Sequence, residues 1–273
     1  MFQASIGETL VGHRQRLWLY AVGIAGLLFL IVPVLLVIPM SFSGSRYLEF
    51  PPEQWSLRWY EHYFRSHEWM GATGISLKAA AMTTILATPI GVAAAYGLHV
   101  AEGRFPRWLH VVLLMPLMVP VIITAIGVFF VFARVGLIGT MLGLVLAHTM
   151  MATPFVVVTT LAGLRGFDMD QEKVARSLGY NRFWAFTKVT LPQIRPSVIS
   201  GALFAFITSL DEVIIALFIT GGPNSTLTKR MFTALRDEID PTIAAISSLL
   251  IVVSLSIVLA ATLLVGRRSR ARR

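Results

Sequence analysis

Six apolar stretches separated by polar breaks set the pattern of this 273-residue chain. They run over 17–40, 70–98, 108–133, 135–164, 196–220 and 242–265. Each is longer than the ~20 residues a helix needs to cross a bilayer. The pattern predicts an all-α integral membrane protein with six spans and a single domain, 1–273. Arg14 and Arg16 precede the first stretch as they would a signal peptide. Its uncharged core, however, exceeds the ~7–15 residues of a signal sequence, and no A-x-A-like cleavage site follows closely, so a retained signal-anchor is expected. The third and fourth stretches meet at Arg134 and Gly136, where a tight hairpin is expected. The break at 41–69 carries Pro51, Pro52, Trp55, Trp59 and Trp69, which suit a membrane interface, and predicts a short interfacial helix over 56–64.

The break at 168–197 is polar and charged, yet it is patterned like a helix. Asp168, Asp170 and Glu172 fall where a first turn would lie, matching the positive end of a helix dipole. Val174 and Leu178 are four apart and share a face. Gly179 can take the left-handed conformation that ends a helix. Asn181 can cap a second short helix that ends before Pro192. A helix–turn–helix of this kind between membrane spans predicts a docking element.

Composition agrees with the pattern. The chain is 56% hydrophobic and 14% charged, with a mean hydropathy of +0.73. That excludes an ordinary soluble domain. The net charge of +9 reads as positive charge that holds loops on the cytoplasmic side, not as a nucleic-acid footprint. With the N-terminus inside, the inner segments carry fifteen Lys and Arg and the outer loops seven. Both termini and the 168–192 segment are therefore expected in the cytoplasm.

Several chemistries are excluded. There is no cysteine, so disulfides, thiolate metal sites and cysteine nucleophiles are ruled out. No P-loop, G-x-S-x-G or H-E-x-x-H motif occurs. The six histidines are scattered and suggest no metal, and His148 in the fourth stretch reads as an interhelical polar contact. The chain is not expected to be an enzyme. The feature that demands explanation is Asp211 beside Glu212 in the fifth stretch. Charge at mid-membrane costs ~2.5–3.5 kcal/mol. The pair points to a cation, a water-filled path or a basic partner, or else to the capping of a broken helix. Lys78 is the only basic residue expected at membrane depth, so compensation is expected from water, solute or another subunit. Adjacent residues diverge by ~100° on a helix, so one of the two acids is expected to face a pathway.

The 168–197 segment resembles the cytoplasmic coupling motif of binding-protein-dependent ABC transporter permeases: E-A-A, three residues, G, nine residues, I-x-L-P. Aligned on Gly179, Val174 and Ala175 take the alanine positions, Arg176, Ser177 and Leu178 the three between, and Val189-Thr190-Leu191-Pro192 the end. Lys173 stands at the glutamate position and Glu172 one residue early, so Glu172 cannot simply replace it. The stretch 209–251 is similar to the spermidine/putrescine branch: Ser209, Asp211 and Glu212, then Gly222-Pro223, then Asp240-Pro241. The resemblance implies a permease fold like that of the methionine importer, in a bacterial inner-membrane importer. Glu172, Val174, Ala175, Arg176, Ser177, Leu178, Gly179 and Pro192 would couple to an ATPase, and Asp211 or Glu212 would meet a polyamine's ammonium groups. It further implies a second permease subunit that is a different homologous chain, an ATPase dimer holding ATP and Mg, and a periplasmic solute-binding protein. This chain itself would hold no cofactor and bind no nucleic acid. Related branches carry amino acid derivatives, opines, phosphonates or ferric iron. A proton-coupled secondary transporter using Asp211, Glu212 and His148 would need no docking helix, and a non-transporting scaffold would predict no buried carboxylates.

Overall fold

The computed structural model describes residues 17–101, 103–237 and 240–270. Among these, regular structure is helical, apart from one isolated bridge pairing Ser43 with Trp55. The helices are α1 Leu17–Met40, α2 Arg58–Arg65, α3 His67–Val100, α4 Arg104–Met118, α5 Val121–Arg134, α6 Met141–Arg165, α7 Asp170–Ser177, α8 Arg182–Ala185, α9 Leu191–Asp211, α10 Ile214–Ile219, α11 Leu227–Asp237 and α12 Thr242–Arg270. The chain divides into two compact units, Met1–Tyr63 with Ile239–Thr262, and Phe64–Glu238 with Leu263–Arg273.

In the first unit, α1 buries almost none of its apolar side chains against the chain, from Trp18 to Leu36. A helix apolar on every side requires lipid or a protein partner around it. Ser248 Oγ on α12 donates to Val37 O of α1 at 3.4 Å. The loop after α1 folds on itself through Gly44 N to Gln54 O (2.9 Å) and Ser56 N to Phe42 O (2.7 Å). Trp59 Nε1 donates to Ser45 O at 3.0 Å, which seats the expected interfacial helix, α2, against that loop.

The second unit is built on α3, α6 and α9. Their contacts use small residues, which let helix backbones approach closely. A Cβ on Gly91 of α3 would come within 2.6 Å of Val156 Cβ on α6. One on Gly201 of α9 would lie 3.1 Å from Val156 Cα. Ala87, Val92, Ala152, Val156 and Ala205 form the centre of this packing. Towards one end, Ala79, Ala125, Leu144, Val145, Ala147, Ile215 and Ile219 add α5 and α10.

Helix boundaries depart from the expected spans at three places. Among the described residues, α1, α3 and α6 are long and apolar enough to cross a membrane alone. The expected span at 108–133 is instead the α4–α5 pair, bent by 103°. Pro120 supplies no amide and forces Val119 into an extended conformation (φ −84°, ψ 134°). The fourth helix starts at Met141 rather than 135. Gly136 and Gly139 take positive φ (71° and 74°), so the hairpin is a loop over 135–140. The fifth stretch breaks at its acids: α9 ends at Asp211, Glu212 is extended, and α10 begins at Ile214.

Candidate functional site: a two-faced polar segment and a broken acidic helix

The polar segment folds as its caps dictate. Asp168 Oδ1 accepts from Asp170 N at 3.0 Å and starts α7. Gly179 ends the turn after α7 with φ +100°, while Tyr180 N donates to Ala175 O at 3.2 Å. Nothing lies within 4 Å of a Cβ placed on Gly179, so its requirement is backbone conformation alone. Asn181 Oδ1 accepts from Trp184 N at 2.9 Å and caps α8. The chain then makes one wide π-helical turn, Phe186–Thr190, and passes directly into α9, with Pro192 in its first turn.

Burial sorts the segment into two faces. Val174 (59% exposed), Leu178 (78%), Tyr180, Phe183 and Trp184 point away from the chain, with Arg176, Ser177 and Pro192 also exposed. Lys173, at the motif's glutamate position, pairs with Asp170 at 2.7 Å in the open. Each holds the other towards its charged form, Asp170 below and Lys173 above its ordinary pKa. A surface pair of this kind contributes little to stability. Ala175 and Glu172 face inward, and Glu172 is 2% exposed. The Glu172 carboxyl accepts from the Tyr96 hydroxyl of α3 on Oε1 and from Thr190 Oγ1 on Oε2. Arg182 Nε donates to Tyr96 Oη at 3.3 Å, and the Phe186 ring lies 4.6 Å from the Tyr96 ring. Tyr96, Arg182 and Phe186 were not singled out from sequence, and Thr190 was named there only within the end of the coupling motif. The available signal was the glutamate one residue early, because Glu172 lies three residues before Ala175 and shares its helix face, the one that turns inward.

The acid pair is also divided. Glu212 Oε2 accepts from Ile215 N (2.8 Å) and Ala216 N (3.2 Å). Glu212 thus caps α10, where backbone amides and the helix dipole favour an acid. Its backbone carbonyl accepts from Thr228 Oγ1 at 3.0 Å. Compensation for Glu212 therefore comes from this chain's own backbone, the capping of a broken helix that stood as the alternative, and not from water, solute or another subunit. At the other end of α10, Lys229 Nζ donates to Thr220 O and Leu217 O. Burial pulls the Lys229 ammonium below its ordinary pKa. The Asp211 side chain is exposed and makes no hydrogen bond or ion pair among the described residues. Just before it, Ser209 Oγ lies 2.8 Å from His148 Nδ1 of α6 and 3.4 Å from Thr83 Oγ1 of α3, a buried contact joining three helices. His148 thus acts as interhelical polar contact. Among the described residues no cluster of three or more His, Asp or Glu side chains could hold a metal.

The chain is similar to known proteins in sequence and in fold. Residues 87–270 match the family described as binding-protein-dependent transport system inner membrane component. The chain is 34% identical over 242 residues to the putrescine transport system permease protein PotI of Escherichia coli (strain K12), covering 86% of this chain and 85% of that one. It is 29% identical to the spermidine/putrescine transport system permease protein PotC of Haemophilus influenzae, covering 88% and 93%. In fold it is similar to a chain of the bacterial alginate ABC transporter in complex with an alginate pentasaccharide-bound periplasmic protein (TM-score 0.69, 16% identity, 91% and 93% covered). It is also similar to a chain of the inward-facing MetNI methionine ABC transporter (TM-score 0.56, 16% identity, 71% and 91% covered). An all-helical ABC importer permease fold, with a family match over most of its length, makes this chain a member of the binding-protein-dependent transport system inner membrane components, transporter subunits and not enzymes.

Proposed function

We propose that this chain is a permease subunit of an ATP-driven importer that carries putrescine or spermidine from periplasm to cytoplasm. The observation that carries the reading is the outward apolar face of Val174, Leu178, Phe183 and Trp184 on a helix–Gly179–helix element continuous with α9. Apolar side chains on a polar, charged segment suit a protein partner better than water. In this reading six spans cross the inner membrane, with α4–α5 and α9–α10 each a broken span and both termini in the cytoplasm. A second, homologous permease completes the pathway. A periplasmic binding protein delivers the solute, and an ATPase dimer holds ATP and Mg.

When the ATPases close, α7 is pushed and the α3–α6–α9 core tilts, alternating access as rigid-body models require. Helix breaks at membrane depth are tolerated where they line a cavity. The break at Asp211–Glu212 fits that role, and its acids divide the labour. Glu212 holds α10 in place, and Asp211 presents a carboxylate to the ammonium groups of a polyamine. The identity to the putrescine and spermidine/putrescine permeases supports the same solute class. The test is reconstitution of the chain with its partner permease, ATPase and binding protein in proteoliposomes. Putrescine uptake that requires ATP and the binding protein is expected. Uptake driven by a proton gradient without ATP would overturn the reading.

A further inference from the structure

Glu172 is the buried acid among the described residues, 2% exposed. No other Asp, Glu, Lys or Arg whose burial is described falls into the buried class. Both of its carboxyl oxygens are satisfied, each by a hydroxyl from a different element: Tyr96 near the end of α3 and Thr190 at the end of the wide turn before α9. Tyr96 is a hub in turn. It donates to Glu172, accepts from Arg182 Nε, lies under the Arg182 guanidinium (5.7 Å to the ring centre) and packs on Phe186. α7, α8 and the wide turn therefore all converge on one side chain of α3. A side-chain hydrogen bond that does join α7 to α9, Gln193 Nε2 to Gln171 Oε1 at 2.6 Å, is exposed, where water competes for it.

We propose that the Tyr96–Glu172–Thr190 network is a clamp that makes the docking segment and the adjoining end of α3 one mechanical body, with Tyr96 the positioning residue that passes the ATPase's push into the α3–α6–α9 core. The inference rests on the importer reading above. It gives Glu172 a place inside the chain instead of on the docking surface. It also accounts for the unusual turn at Phe186–Thr190. Single π-helical turns frequently mark functional sites, and this one brings Phe186 onto Tyr96 and Thr190 onto Glu172. A buried acid held by two hydroxyls resists separation because either loss strands a polar group away from water. The docking face is thereby tied to the core through a carboxylate that is itself shielded from water.

The test uses the complete importer and the full-length chain with Tyr96→Phe, Glu172→Met, which keeps the length of the side chain but offers no acceptor oxygen, and the double variant. The ATPase subunits should still co-purify with every variant. Solute moved per ATP hydrolysed should fall about tenfold in each single variant, the factor corresponding to one lost hydrogen bond with a charged partner. The double variant should be no worse than the poorer single one, because both changes remove the same bond. In the isolated full-length chain, deuterium uptake over 168–192 should rise in Tyr96→Phe. That measurement reads the clamp without any transport. If the unmodified importer moves no putrescine, the solute reading fails while the deuterium result still judges the clamp. Unchanged deuterium uptake, an unchanged transport-to-hydrolysis ratio in an importer that pumps, strictly additive losses in the double variant, or loss of ATPase binding in the single variants would each overturn the proposal.

Discussion

Glu212 and Lys229 hold opposite ends of the same helix. The carboxylate accepts from the first free amides of α10, and the ammonium donates to its last carbonyls. A six-residue helix is too short to be stable alone. Charges matched to both ends of its dipole fix it beside Asp211, the end of α9.

Removing the acid at that cap should weaken the protein. Glu212→Ala leaves the amides of Ile215 and Ala216 without their acceptor and should cost about 0.5–2 kcal/mol, the range for lost helix caps. Glu212→Gln keeps an acceptor oxygen and should cost less. Thermal unfolding of the detergent-solubilised chain should rank the variants in that order, and equal stability of all three would remove the capping role.

Asp211 should behave in the opposite way. Asp211→Asn preserves size and disturbs no hydrogen bond among the described residues, so stability and complex assembly should be retained. Polyamine uptake should fall strongly while basal ATP hydrolysis continues. Normal uptake would take Asp211 out of the pathway.

Gly179→Val places a β-branched residue at φ +100°, at a local cost of ~1–2 kcal/mol. Space does not forbid the side chain, so the damage should be confined to the turn and to the angle between α7 and α8. Membrane insertion should continue while solute-stimulated hydrolysis fails. Unchanged stimulation would mean that the partner does not read this turn.

Topology can be tested directly because the chain contains no cysteine to remove. A cysteine at Ser56 should react with an impermeant thiol reagent from the periplasmic side, and one at Ser177 from the cytoplasmic side. Labelling of position 56 from the cytoplasm alone would reverse the orientation.

Most of the scaffold was legible in the sequence, because long apolar runs and their caps are local signals. Gly179 and Asn181 stand where their conformational preferences placed them. The breaks in the third and fifth stretches were harder to read. Hydropathy averages across Pro120, and for Asp211–Glu212 the residues left a paired charge and a capped break as alternatives that only the backbone geometry separates. Lys229 gave no sign of its role, since its target is a set of backbone carbonyls and not an acid in the sequence. The partners of Glu172 were hidden for a similar reason. Tyr96 lies 76 positions away, and no periodicity within 168–192 identifies the side chain its inner face will meet.

The near-contact of Gly91 and Gly201 with Val156 restricts what kind of movement this chain can make. Helices slide past one another when side chains form a yielding layer between them. Here backbone almost touches side-chain root, and a shift of one helix along its neighbour would drive Val156 into a main chain. The bundle is geared rather than lubricated, so rearrangement has to occur as rotation of the whole triplet about its joints. The sharp elbow at Val119–Pro120 and the extended residue at Glu212 are two places, among the described residues, where the backbone already leaves the helix.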